Sequence, residues 1–225
     1  MQPLSQRPAL VEQVYERLVE AIADGSLLPG EAVTQENLAD RLGVSRQPVS
    51  HALVLLRQEG LLVERGRRGL QVAPLDPDHI RDLYQVRSAL DGLAAASAAA
   101  RSSHLGKAER RAAETALEQG LLAVERGERA ALIAADVAFP DQLNQLSGNP
   151  VIVEIAARQW PHFRRAMGAA LEDPALAERF WQEHEAILQA VFAGEEEGAR
   201  RLAEAHARRA GAETWRRLRE AQEAA

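Results

Sequence analysis

Between Leu10 and Asp24 the apolar residues Val11, Val14, Tyr15, Leu18 and Ile22 recur at helical spacing, which predicts an amphipathic helix that Gly25 ends. The following SLLPGEAV, with its Pro-Gly pair, reads as a loop. A short helix is expected from Gln35 to Leu42 with Thr34 as its N-cap, and Gly43 then turns the chain. Ser45 is placed to cap a third helix, whose buried stripe is Val49, Ala52, Leu53 and Leu56. Pro48 falls in its first turn, where a missing N–H costs little, and Gly60 ends it. LLVE and LQVA, on either side of RGRRG, read as a hairpin.

Pro74 and Pro77 mark a linker, and the pattern changes beyond it. No strand-like alternation follows. Helical periodicity, interrupted near Gly106, Gly127, Gly148-Asn149-Pro150, Asp173-Pro174 and Gly194, predicts six helices near 78–103, 106–127, 129–147, 150–170, 174–193 and 195–222. The expected fold is mainly α: a winged helix-turn-helix over residues 1–75, then an all-α bundle of about six helices over 76–225.

Charge sharpens this picture locally. The chain of 225 residues has a net charge of −6, which argues mildly against a nucleic-acid partner. Between Gln35 and Ala73, however, 6 basic residues stand against 4 acidic ones, with Arg65, Arg67 and Arg68 clustered. A local basic patch can meet a phosphate backbone on an acidic chain. There are no cysteines, so disulfides and thiolate metal sites are excluded, as suits a reducing compartment. MQPLSQRPALVEQV does not have the form of a signal peptide, and no apolar run approaches the ~20 residues of a membrane helix. A cytoplasmic protein with no membrane partner is expected.

Two short helices joined at a glycine and followed by a basic hairpin suit DNA. The second helix can enter the major groove with its N-terminal residues at the base edges. Its first turn offers Ser45, Arg46 and Gln47, with Ser50 and His51 one turn on, opposite the apolar stripe. Arg46 suits a phosphate or a guanine edge, and Gln47 a base or phosphate. Gly69 closes the wing that carries Arg67 and Arg68 toward the backbone or minor groove. Periodicity alone leaves open a small helical domain with a solvated basic loop.

The stretch from LVEAIADGSLLPGEAV through GVSRQPVSHAL to EGLLVERGRRGLQVAPL resembles the GntR-family DNA-binding domain over nearly its full length. The resemblance implies a transcriptional regulator that binds a palindromic double-stranded operator as a homodimer. One departure concerns specificity. Ser50 stands where the family usually has an arginine that contacts DNA, and His51 where it has Glu.

The second half carries a different signal. Arg87 lies within the apolar face of Ile80, Leu83, Tyr84, Leu90 and Ala94; Asp136 within that of Leu132, Phe139, Leu143 and Leu146; His184 within that of Phe180, Ile187, Leu188 and Val191; and His206 follows Leu202 by one turn. A polar group buried without a partner is costly, so these four should meet each other, water, an ion or a ligand. Asp136, His184 and His206 form a donor set for Zn²⁺ or a similar divalent ion, and Arg87 offers a fork for a ligand carboxylate. The plainer alternative is that each satisfies a local neighbour in an ordinary core.

LYQVRSALDGLAA, DVAFPDQLNQLSGNP and EHEAILQAVFAGEEEGARRLAEAH are similar to the FadR-type effector domain, or FCD domain, of GntR regulators. That resemblance implies a metal (Zn or Ni) held by one Asp and three His beside a small organic acid that meets the first-helix arginine. Asp136, His184 and His206 match, so the implied effector contacts are Arg87, Asp136, His184 and His206. The family's Asp-x-x-Phe-His reads here Asp136-Val137-Ala138-Phe139-Pro140, and Pro140 has no donor for a metal. Pro140 also predicts a kink or a helix start nearby. Two outcomes stay open: a three-ligand metal site completed by water or effector, with His162 as a substitute donor, or a metal-free pocket. The leading reading is an effector-responsive repressor. A metal-assisted hydrolase on a DNA anchor and a metal-sensing regulator without organic effector are the alternatives. No general base or oxyanion motif supports the hydrolase.

Overall fold

The computed structural model describes residues 10–66, 69–170 and 173–224, and the chain divides into two compact units, Met1–Leu75 and Asp76–Ala225. In the first, α1 (Leu10–Ala23), α2 (Gln35–Leu42) and α3 (Arg46–Gln58) surround a core of Val14, Leu18, Ile22, Val49, Ala52 and Leu56. Three short strands complete it: β1 (Ala32–Val33), β2 (Leu62–Glu64) and β3 (Leu70–Val72), in antiparallel order β1-β3-β2. The register pairs Val63 with Gln71 and Ala32 with Gln71 on the two sides of β3. β1 lies in the stretch read above as loop. Its two residues carry no alternation of their own; they become a strand because β3 offers an open edge.

Capping follows the local chemistry. Thr34 accepts from the Asn37 N–H at 3.2 Å, as a helix N-cap should. Ser45 sits at the N-cap of α3 but its hydroxyl makes no capping bond, contrary to expectation. An N-cap side chain normally accepts from the second or third helical N–H, and the third residue here is Pro48, which has none.

The second unit is all helical among the described residues: α4 (Pro77–Ala100), a 3₁₀ turn (Ser102–His104), α5 (Lys107–Arg126), α6 (Arg129–Leu146), α7 (Pro150–Ala170), α8 (Pro174–Ala193) and α9 (Glu196–Glu223). α4 is the axial helix and packs against α6, α7, α8 and α9. Its buried Ala94, Ala95, Ala98 and Ala99 let neighbours approach closely. α9 runs antiparallel along it, with Gly211 against Tyr84 and Glu204 over Gly92. No helix among the described residues is long and apolar enough to cross a membrane.

α6 neither starts nor stops at Pro140; it runs through from Arg129 to Leu146. One missing hydrogen bond to the Asp136 carbonyl is outweighed by burial of Leu132, Ala135, Phe139, Leu143 and Leu146 on both sides of it. Gly120 of α5 receives the fully buried ring of Trp181: a Cβ there would lie 2.0 Å from the ring carbons. Gly120→Ala should therefore destabilise the chain by about 1–3 kcal/mol in thermal unfolding, despite alanine's better helix propensity.

Candidate functional site

Two places gather functional side chains, one in each unit. In the first, Ser45, Arg46, Gln47 and His51 are exposed at the start of α3, and Ser50 is half-buried. Docking of α2 on α3 adds two residues that spacing did not indicate. Gln35 Nε2 donates to Ser50 Oγ at 3.2 Å, and Arg46 pairs with Glu36. A cleft of about 610 Å³ lies between α3, the start of α2 and the β2–β3 hairpin, lined among others by Gln35, Glu36, Arg46, Ser50, Arg57 and Gly69. The Gly69 carbonyl accepts from the Arg65 N–H at 2.8 Å and closes the hairpin. Arg67 and Arg68 lie outside the described residues.

In the second unit Arg87, Asp136, His184 and His206 are all buried, from four different helices. Arg87 Nε donates to Asp91 Oδ2 at 3.1 Å, one helical turn on. The rings of Tyr84, Trp160 and Phe163 surround the guanidinium, with centroids 5.4, 4.9 and 5.0 Å away. Burial works against its charge, but Asp91 and the other groups around it prevail and hold Arg87 protonated. Among the described residues its Nη1 and Nη2 donate to no side chain or carbonyl.

His184 and His206 approach to 3.0 Å between their Nε2 atoms. Glu183 accepts from His206 Nδ1 at 2.9 Å and from Arg209 Nε at 2.9 Å. Burial raises the Glu183 carboxyl, but the bonds from His206 and Arg209 overcome it and bring it down to about 2, so it is ionised. Burial keeps His184 neutral, well below the ordinary histidine range. His206 Nδ1–H donates to the Glu183 carboxylate, and one hydrogen bond links the two Nε2 atoms. His184 Nδ1 is left without a hydrogen-bond partner, stacked beside Phe139 at 4.4 Å between centroids.

Asp136 makes no hydrogen bond to this pair, and burial pushes its carboxyl up against the opposing pull of His206 and Arg87. No group of three or more His, Asp or Glu side chains among the described residues is arranged to hold a metal ion. Two donors converge, the third is a carboxyl with a raised pKa, and Pro140 stands at the fourth. These residues do not fit the four-ligand centre that the resemblance implied. His162 does not replace the missing ligand: it is buried on α7 with its ring against His79 at 5.8 Å and lines neither cavity described next.

Two cavities of about 10 Å³ each flank Arg87. One reaches Phe139, His184, Ile187 and His206; the other reaches Asn144, Gln159, Trp160 and Phe163; Arg87, Asp91 and Pro140 line both. Each has room for about one water. Asp91, Asn144 and Glu183 are additions to the sequence reading. The i,i+4 spacing of Arg87 and Asp91 was a usable signal. Nothing local shows that Glu183 reaches across to the next helix.

Comparison with known proteins follows the same division. A family model for bacterial regulatory proteins of the gntR family matches residues 10–72, and the FCD domain model matches residues 82–209, more than half of the chain. The chain belongs to the GntR family, with an FCD domain. It is 34% identical over 134 residues to an HTH-type transcriptional regulator from the TAR-I ttuE-ttuC′ intergenic region of Agrobacterium vitis, covering 59% of this chain and 78% of that one. It is 29% identical over 197 residues to an HTH-type regulator in an unstable DNA locus of Streptomyces ambofaciens, covering 87% and 80%. The E. coli McbR/YncC structure has the same fold, with a TM-score of 0.80 at 22% identity over 94% of this chain and all of that one. This GntR-family protein is a DNA-binding transcriptional regulator, and its relatives are regulators rather than enzymes. Regulators of the family bind DNA and are typically dimers.

Removing Asp91 tests the buried centre of the regulator directly. Asp91→Ala leaves Arg87, 6% exposed, without its counter-charge and should cost about 3 kcal/mol or more in chemical denaturation.

Proposed function

We propose that this regulator is a homodimeric repressor that binds a palindromic operator and is released by a small carboxylate metabolite gripped by Arg87. The observation that carries the reading is the state of that guanidinium. It is buried, charged, boxed by three aromatic rings, bonded to Asp91 through Nε, and lines two cavities. A planar guanidinium fork suits a carboxylate, and burial strengthens the bond. His184 and His206 line the first cavity and offer further polar contacts.

The cavities are too small for an organic acid as they stand. The acid must therefore select an arrangement in which the helices around Arg87 part, and that preference is what shifts a population. Arg87 lies on α4, which begins at Pro77, directly after the DNA-binding unit ends at Leu75. Movement of α4 is passed along the chain to the winged helix, and unequal binding of the two arrangements becomes a change in operator affinity. Cytoplasmic residence accords with a DNA target.

On the DNA side, we assign Ser45, Arg46, Gln47, Ser50 and His51 to the major groove, and Gly69 with Arg67 and Arg68 to the backbone or minor groove. Arg46→Ala should weaken specific operator binding about 5- to 150-fold in a titration at fixed salt. Replacing the buried pair together, Arg87→Met with Asp91→Leu, removes both charges and keeps the core filled. That variant should bind operator normally and not respond to any acid that releases the wild type. An unchanged response would refute the Arg87 reading.

The zinc or nickel ion takes no part in this reading: Pro140 stands where the resemblance puts a histidine ligand, and no group of three or more His, Asp or Glu among the described residues is arranged to hold a metal. The wild type, purified without chelator or nickel resin, is expected to hold metal well below one equivalent. Pro140→His supplies the missing donor and should raise the zinc content toward one equivalent. Stoichiometric metal in the wild type that disappears in His184→Ala would reverse this conclusion.

A further inference from the structure

The cleft beside α3 has no net charge, although it lies on the face assigned to a polyanion. The charged residues that line it are Glu36, Arg46, Arg57 and Glu64, two of each sign. They are matched in pairs at opposite ends of α3. Arg46 Nη2 donates to Glu36 of α2, and Arg57 Nη1 donates to Glu64 of β2 at 3.2 Å. Ser50, which also lines the cleft, is bonded by the neutral Gln35. All four charged side chains are exposed, and ion pairs in water contribute little to stability. A surface built to meet phosphates nevertheless keeps a carboxylate on each of these arginines.

We propose that Glu36 and Glu64 are specificity residues, which hold Arg46 and Arg57 back from phosphates and so keep the regulator off DNA of the wrong sequence. The proposal rests on the assignment of α3 to the major groove. Binding to random sequence is almost wholly a matter of phosphate contacts and counterion release. A carboxylate already seated on a guanidinium competes with a phosphate for it, and repels that phosphate more strongly as water is excluded. A guanine edge is different. It offers O6 and N7, neither of which carries a full charge, and a guanidinium has five donors, so Arg46 can bond the base and Glu36 together. The pairs thus weaken contact with any backbone more than contact with the right base.

The test compares a duplex that the full-length wild type selects from a random pool with an unselected duplex of the same length, in titrations over a range of salt. Glu36→Gln and Glu64→Gln should each tighten binding to the unselected duplex about threefold or more and steepen its slope of log K against log salt by about one. Binding to the selected duplex should change less, so that the ratio of the two falls. Failure of either variant to do so, by weakening both duplexes alike or by leaving ratio and slope unchanged, overturns the role of that residue. Glu20→Gln removes an equal charge from α1, outside the cleft, and should leave the ratio within about twofold of the wild type. The same effect in Glu20→Gln overturns the proposal, as does a wild type that binds the two duplexes equally. Selected-duplex binding unchanged in Arg46→Ala overturns the assignment of α3 itself, which separates the two failures.

Discussion

The helical unit is organised around one buried charge. Arg87 sits on the axial helix, and every helix that packs there must accommodate a guanidinium that cannot lose its proton. Asp91 supplies the counter-charge from the same helix, Tyr84 supplies a ring from it, and α7 supplies Trp160 and Phe163. An apolar pair of the same volume would stabilise the core as well or better. Under the proposed function this charge has a use, since Arg87 is bonded to Asp91 and also lines two cavities.

The histidine pair is built in the same way, from the outside inward. Arg209 and Glu183 hold His206, His206 orients His184, and the last nitrogen in the series is left without a partner beside Phe139. A carboxylate behind a histidine is a common support for a metal ligand, and here it supports a donor whose companions are absent. Pro140 lies at the common wall of both cavities. A position where a donor was expected instead contributes a rigid apolar surface against Arg87.

The DNA-binding unit depends on a small core and shows the same economy at its surface. α3 buries Val49, Ala52, Leu53 and Leu56, and this fixes which residues face outward. Glu36 and Gln35, from α2, then set the immediate surroundings of Arg46 and Ser50. Ser50 is thereby a hydrogen-bonded residue, where an arginine would have carried an independent charge.

Helix limits in the second unit were legible to within about three residues, because Gly106, Gly127, Asn149-Pro150, Asp173-Pro174 and Gly194 act through backbone geometry that needs no distant partner, while Pro77, read as linker, instead opens α4 behind the Asp76 cap. The interruption of apolar stripes by Arg87, Asp136, His184 and His206 was legible for the same reason, since helical phase is a local property. β1, the uncapped Ser45 and the unbroken α6 were not. A two-residue strand exists through its neighbour, and one lost backbone bond is decided by the burial around it. Nor could spacing tell that His184 meets His206, or that Asn144 shares a cavity with Arg87. The sequence by itself determined the elements, the family and the candidates for the site; the tertiary structure alone decided which of those candidates touch, because distances between helices are set by the packing of whole faces and not by any one residue's place in the chain.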